Sequence, residues 1–349
     1  MRLNEPGSND EPTQGLQHRL VGLGGLVRAL GNLGLWRRQT AAGGGGSSLL
    51  QADDGQRIVY RQLGAWAARA SPLTPNQVCG RTAPAATPVV LLHGLGCTHR
   101  HWVPVARQLA RRAPVLAWDA RCHGASLAQA GARVTLERLA DDLQLLLDRH
   151  ALDSAVLVGH SMGALVALQY LQRHGSRRVR ALALVDQSPR IVSDTDWRCG
   201  IFGGCSRETL LALIGSARQD LPGTVLRELE SALRAAWPHH PALQRWLDRM
   251  LQAALQRWLG AFDASALLDL AHSLVDADFR PLLGRLDIPL WVALGARSPH
   301  YAGVPLADHY RRAVPHASIT VYPRAGHSPH VSEPLRFARD LQAFIDDHA

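Results

Sequence analysis

A mostly parallel, doubly wound α/β sheet with an inserted helical cap is the fold class that the sequence predicts, on three observations. Short apolar runs alternate along the chain with segments of helical periodicity, the pattern of strands covered by helices. The runs are continuous rather than alternating, as strands buried on both faces must be. Between Asp186 and Leu286, about a hundred residues keep helical periodicity and hold no clear strand, which marks the insertion.

Taken in order, residues 1–48 predict a flexible arm, rich in Gly, Asn, Gln and Pro and closing on Gly43-Gly44-Gly45-Gly46-Ser47-Ser48. Inside it Leu20–Trp36 is apolar, with Arg19, Arg28, Arg37 and Arg38 around it, so residues 19–38 offer a weak contact to an anionic membrane surface. Six glycines from Gly15 to Gly34 oppose a stable helix there and favour a poorly ordered arm. A core is expected over 49–186 and 286–349. Its strands are predicted at Arg57–Tyr60, Val89–Leu92, Val115–Trp118, Ala155–Val158, Ala181–Val185, Leu290–Leu294 and Ile319–Tyr322. Its helices are predicted at Trp102–Arg112, Leu136–His150, Gly163–Arg173, Pro305–Ala313 and Glu333–Asp347, and Ala65–Thr87 is a Pro- and Ala-rich insert. The cap takes 187–285, with helical periods at Glu208–Ala217, Thr224–Trp237, Leu243–Phe262 and Ala264–Leu274. Its Trp237, Trp246 and Trp258 have the spacing of helical core packing; facing inward, they would line an apolar acyl or aryl pocket.

Composition narrows the function classes. At 349 residues and 46% hydrophobic, the chain can fill one large core, and no run of eighteen uncharged apolar residues suggests a spanning helix. All 38 basic residues are Arg against 29 acidic ones, a bias that GC-rich coding explains as readily as a basic ligand does. No basic run interleaved with aromatics accompanies it, so no nucleic-acid partner is expected. The five cysteines form no C-x-x-C pair and have no histidine at zinc-ligand spacing. Free thiols fit a reducing compartment, and the cytoplasm is expected.

The chemistry-bearing residues lie at predicted strand ends. Gly159-His160-Ser161-Met162-Gly163 is a G-x-S-x-G sequence directly after Ala155–Val158 and directly before a helix. Such a turn forces the serine into a sparsely allowed backbone conformation and exposes its hydroxyl at the carboxyl edge of the sheet. A serine nucleophile needs a base, and His327 follows the last predicted strand, on a loop at the same edge. His330 is its nearest competitor, though the entry to the Glu333 helix suits a structural hydrogen bond better. An oxyanion needs backbone donors: the N–H of Leu95, in His93-Gly94-Leu95-Gly96, and the N–H of Met162 are the candidates.

In these pieces the chain resembles the α/β-hydrolase superfamily over roughly residues 50–349: His93-Gly94-Leu95-Gly96, Asp119-Ala120-Arg121-Cys122-His123-Gly124, the turn at Ser161, and Gly326-His327 with Glu333-Pro334 behind it. The resemblance implies a serine hydrolase. It also implies a catalytic acid just after the seventh strand, where this chain reads Gly295-Ala296-Arg297-Ser298. Ser298 cannot carry the charge that orients the imidazole. Asp186 ends the strand Ala181–Val185 on the same edge and is the expected acid, with Asp308 or a cap carboxylate as alternatives; Asp287 precedes its strand and belongs at the opposite edge. Arg121, with Asp119, is expected to brace neighbouring loops. The expected activity is hydrolysis of a carboxylic ester, thioester or lactone through an acyl-enzyme, with a small-molecule ester or acyl substrate and with no metal or organic cofactor. Acyl transfer, perhydrolysis, or a non-catalytic ligand-binding protein on the same fold remain open alternatives at this stage, and the oligomeric state is not legible.

Overall fold

The computed structural model describes residues 47–66, 86–127, 134–224 and 263–348. The arm with its membrane-contact segment 19–38, most of the 65–87 insert, and the cap tryptophans Trp237, Trp246 and Trp258 lie outside the described residues. Eight strands form one sheet: β1 (Ser47–Gln51), β2 (Arg57–Leu63), β3 (Val89–Leu92), β4 (Val115–Asp119), β5 (Ala155–His160), β6 (Val179–Val185), β7 (Leu290–Gly295) and β8 (Ser318–Tyr322). Their spatial order is β1-β2-β4-β3-β5-β6-β7-β8. The β1–β2 and β2–β4 pairs are antiparallel, and the others are parallel.

The parallel strands read as apolar runs because both their faces are covered. Val90, Leu92, Leu157, Leu182, Leu184, Val292 and Leu294 point to one core, and Val89, Leu91, Val156, Val158, Ala183 and Ala293 to a second on the other face. Against the first pack α2 (Leu136–Arg149) and α3 (Met162–His174), through Leu139, Leu143, Leu146, Ala164, Leu165 and Leu168. Against the second pack α1 (Val103–Leu109) and α9 (Pro334–His348), through Val105, Leu109, Phe337, Leu341 and Phe344. Side-chain caps start several helices: Thr135 accepts from the Arg138 N–H at 3.3 Å, Ser206 from Thr209 at 3.2 Å, and Asp263 from Ala266 at 2.9 Å.

Between β6 and β7 the described residues form α4 (Arg207–Gln219), α5 (Ala264–Val275) and the single turn α6 (Arg280–Leu283), with no strand among them. After β7 come α7 (Gly303–Ala313) and, beyond β8, the short α8 (Pro329–Ser332). Each predicted strand coincides with an observed one to within a few residues. β1 is the difference: it starts at Ser47, inside the segment expected to be linker, where Ser47 and Ser48 pair with Arg61 and Tyr60. Ser48 Oγ also accepts from Gln62 Nε2 at 3.1 Å. It is an edge strand whose residues are exposed or half-buried, so no apolar run announces it.

Candidate active site

Ser161 sits between β5 and α3 with φ 52° and ψ −122°. This left-handed backbone is costly for a residue with a Cβ and persists only where the surroundings enforce it. The enforcing contacts involve glycines. A Cβ on Gly159 would collide with the backbone of Gly163 and Ala164, and one on Gly163 would collide with the carbonyls of Leu92 and His93. The first turn of α3 therefore lies directly on the end of β3. Ser161 is the residue before the first helical position, yet its side chain makes no capping hydrogen bond, so the helix does not consume its hydroxyl.

Asp186 follows β6, the neighbour of β5, also in left-handed backbone at φ 47°. Its N–H donates to Ala293 O at 2.8 Å, and its carboxylate is fully buried. Three donors converge on it: the Gly295 N–H on Oδ1 at 2.8 Å, the Ser298 hydroxyl on Oδ2 at 2.5 Å, and His327 Nδ1 on Oδ2 at 2.7 Å. Burial pushes this carboxyl up to about 7, while the Ser298 and Gly295 donors oppose the rise. Because all three neighbours can donate, the ionised carboxylate is the form that satisfies every one of them.

His327 reaches this point because Gly295 has no side chain: a Cβ there would collide with the Gly326 carbonyl. The Nδ1–H bond to Asp186 leaves the Nε2 lone pair as the free basic site. Burial lowers the His327 pKa below its ordinary value, so the ring is neutral. Among the described residues Ser161 Oγ makes no hydrogen bond to His327, a spacing that commonly tightens only when substrate binds. Instead the turn at Ser161 and the loop of His327 are joined one residue earlier: His160 Nε2 lies 2.8 Å from His327 O and donates to it.

The loop after β3 passes close to Ser161, since a Cβ on Gly94 would come within 3.2 Å of its Cβ. Two buried, neutral histidines shape this loop. The Ala120 N–H donates to His93 Nε2 at 2.9 Å, which leaves His93 Nδ1–H to donate to Gly94 O at 2.9 Å. The Gly96 N–H donates to His123 Nε2 at 2.9 Å. Among the described residues neither the Leu95 nor the Met162 N–H donates to another backbone or side-chain group.

The remaining candidates separate cleanly. Asp308 pairs with Arg311 at 2.7 Å on the exposed side of α7, and Asp287 accepts from Ser176 Oγ at 3.0 Å near the start of β6, the opposite edge of the sheet. His330 corrects an expectation: neither ring nitrogen has a hydrogen-bond partner, and the fully buried ring stacks on Trp102 with centroids 4.2 Å apart. Packing on an indole, not hydrogen bonding, fixes it. Arg121 braces α2 and the turn before β2, through Asp142 at 2.6 Å and Asp54 at 2.8 Å, rather than acting with Asp119. Asp119 instead accepts from the His99 backbone and ring at 2.8 and 2.7 Å. Burial would raise its carboxyl, but His99 outweighs burial and holds it well below the usual range. Sequence reasoning missed His160 and His300, the latter stacked on His327 with centroids 3.9 Å apart, because only the folded chain brings these rings together.

Residues 89–340 match a family model described as the alpha/beta hydrolase family. A pimeloyl-[acyl-carrier protein] methyl ester esterase from Chromobacterium violaceum is 32% identical over 264 residues, covering 75% of this chain and 95% of that protein. One of the same name from Vibrio vulnificus is 28% identical over 258 residues, covering 73% and 93%. Among solved structures, an esterase from Exiguobacterium antarcticum superposes with a TM-score of 0.65 at 21% identity, covering 86% of this chain and all of that one. The enol-lactonase from Burkholderia xenovorans LB400 gives 0.62 at 20%, covering 86% and 100%.

Proposed function

We infer, from the premise that the chain belongs to the alpha/beta hydrolase family, that Ser161, His327 and Asp186 are its nucleophile, base and acid. The protein is a carboxylic ester hydrolase acting on a small-molecule ester. The observation that carries the assignment is the 2.7 Å bond from His327 Nδ1 to Asp186, made at the sheet edge where Ser161 stands on its strained turn.

The residues then divide the chemistry. Ser161 Oγ attacks the ester carbonyl while His327 Nε2 takes its proton, and the Asp186 carboxylate stabilises the imidazolium that forms. The Leu95 and Met162 N–H groups receive the oxyanion; losing one donor of this kind costs about 3 kcal/mol in related chemistry. His327 returns its proton to the leaving alcohol, giving an acyl-enzyme, and then activates water to release the acid. The Chromobacterium violaceum and Vibrio vulnificus relatives are named as pimeloyl-[acyl-carrier protein] methyl ester esterases, which makes methyl esters of acyl chains the first substrates to try. Among the described residues no helix is long and apolar enough to cross a membrane. A cytoplasmic location is the reading that the thiols of Cys97, Cys122 and Cys199, outside any disulfide, support.

A fluorophosphonate probe followed by peptide mapping tests the assignment. Labelling is expected on Ser161, to disappear in Ser161→Ala, and to slow by orders of magnitude in His327→Ala. Folded protein that takes no label at Ser161 overturns it.

A further inference from the structure

We propose that His300 is a positioning residue for the base, holding the His327 imidazole in its working orientation, and that Phe202 ties this platform to the helical insertion. The proposal rests on His327 being the base.

Three rings form a ladder. The His300 ring lies over His327 with centroids 3.9 Å apart and planes 28° from parallel, and Phe202 follows on His300 at 5.2 Å and 38°. Stacking this close confines the one motion that would spoil catalysis and that the Asp186 bond leaves free, rotation of the imidazole about its Nδ1–Asp186 axis. The platform is itself held on both sides. The His300 N–H donates to Ser298 Oγ at 3.3 Å, the same hydroxyl that bonds Asp186, and the His300 carbonyl accepts from the Phe202 N–H at 2.8 Å. Acid, base and insertion thus meet at one residue.

Phe202 adds an independent sign of selection. It occupies the left-handed region, at φ 55° and ψ 33°, in a short turn (Ile201–Gly203) flanked by Gly203 and Gly204, which have φ 72° and 125°. A bulky aromatic residue there stores strain that either neighbouring glycine would not, and such strain concentrates where a side chain must be held for function. Burial lowers the His300 pKa well below the ordinary histidine value, with His327 acting in the same direction, so the ring stays neutral and presents an aromatic face to the imidazolium formed during turnover. The groups facing His300 are His327, the Asp186 carboxylate behind it, Phe202, and the Tyr301 ring with its centroid 6.4 Å away.

The test compares His300→Ala, His300→Phe and Phe202→Gly with wild type, in ester hydrolysis across pH and in fluorophosphonate labelling. His300→Ala is expected to lower kcat by 10- to 100-fold with KM little changed, and to move the acid limb of kcat/KM to higher pH as water reaches His327. His300→Phe, which keeps the ring and loses the nitrogens, is expected to stay within about threefold of wild type with its acid limb unmoved. Phe202→Gly relieves the backbone strain, so its Tm should hold or rise while kcat falls. Wild-type kcat in His300→Ala, or equal losses in His300→Ala and His300→Phe, overturns the proposal. Failure of the base assignment shows separately, as undiminished labelling in His327→Ala.

Discussion

At the level of single residues, the site departs at one position from what the resemblance implies, and a carboxylate from the neighbouring strand meets it there. Ser298 stands where the resemblance implies the acid, and its hydroxyl donates to the carboxylate of Asp186, which comes from the neighbouring strand. The sequence announces the absence at 298 and the presence of an aspartate at the right edge, but not that the two residues touch, because their contact spans 112 positions. Replacing Asp186 with Asn is expected to cost on the order of 10⁴ in kcat, as loss of the orienting carboxylate does in serine proteases. Turnover near wild type would move the acid elsewhere. Ser298→Ala isolates the donor. Since that hydroxyl lowers the Asp186 pKa and burial has already pushed it up to about 7, removing it raises the carboxyl further. The acid limb of kcat, which reports the hydrogen-bonded Asp186–His327 pair together, should therefore shift to higher pH while the plateau above it changes less, and a pH profile that superposes on wild type would show the bond has no role in ionisation.

At the level of elements, legibility followed burial. β3, β5 and β7 were readable because strands covered on both faces are continuous apolar runs, whereas β1, an edge strand behind a glycine run, gave no such signal. Helix α2 shows what periodicity leaves out. Its inner face carries Asp142 among the leucines, fully buried and bound through both oxygens at 2.6 Å to the equally buried Arg121 guanidinium. The pair anchors α2 to the loop after β4, and Asp142 Oδ1 and Oδ2 share the fork that a lysine could not fill. Asp142→Asn should therefore destabilise the fold by about 3–5 kcal/mol, because it removes the buried bidentate counter-charge of Arg121, while esterase activity per folded molecule persists. Urea unfolding measures the first and active-site titration the second; a loss below about 1 kcal/mol would mean that the other partners of Arg121, Asp54 at 2.8 Å among them, hold the charge.

For the whole molecule, the histidines decide how the fold responds to acid. His93, His123, His160, His300, His327 and His330 lie in or around the site, and burial lowers the pKa of each below its ordinary 6.5. In the unfolded chain each takes up a proton near 6.5, whereas in the folded chain each stays neutral to much lower pH. Below 6.5 the unfolded state binds more protons, so stability is complete above that value and falls as the pH drops toward the folded values. Each such group contributes a slope of about 1.4 kcal/mol per pH unit. Asp186 opposes one of them, since its raised carboxyl gains a proton between about 7 and 4 that the unfolded chain does not. Loss of stability in acid is therefore expected to begin below about 6.5, above the range where ordinary carboxylates titrate. Urea midpoints taken from pH 7.5 to 4.5 should fall steeply below 6.5, and His123→Gln should shallow that fall, because it removes one proton from the difference. Midpoints that stay level down to pH 5 would mean that these rings accept protons in the folded state, and would place the polar groups around Ser161 in contact with water.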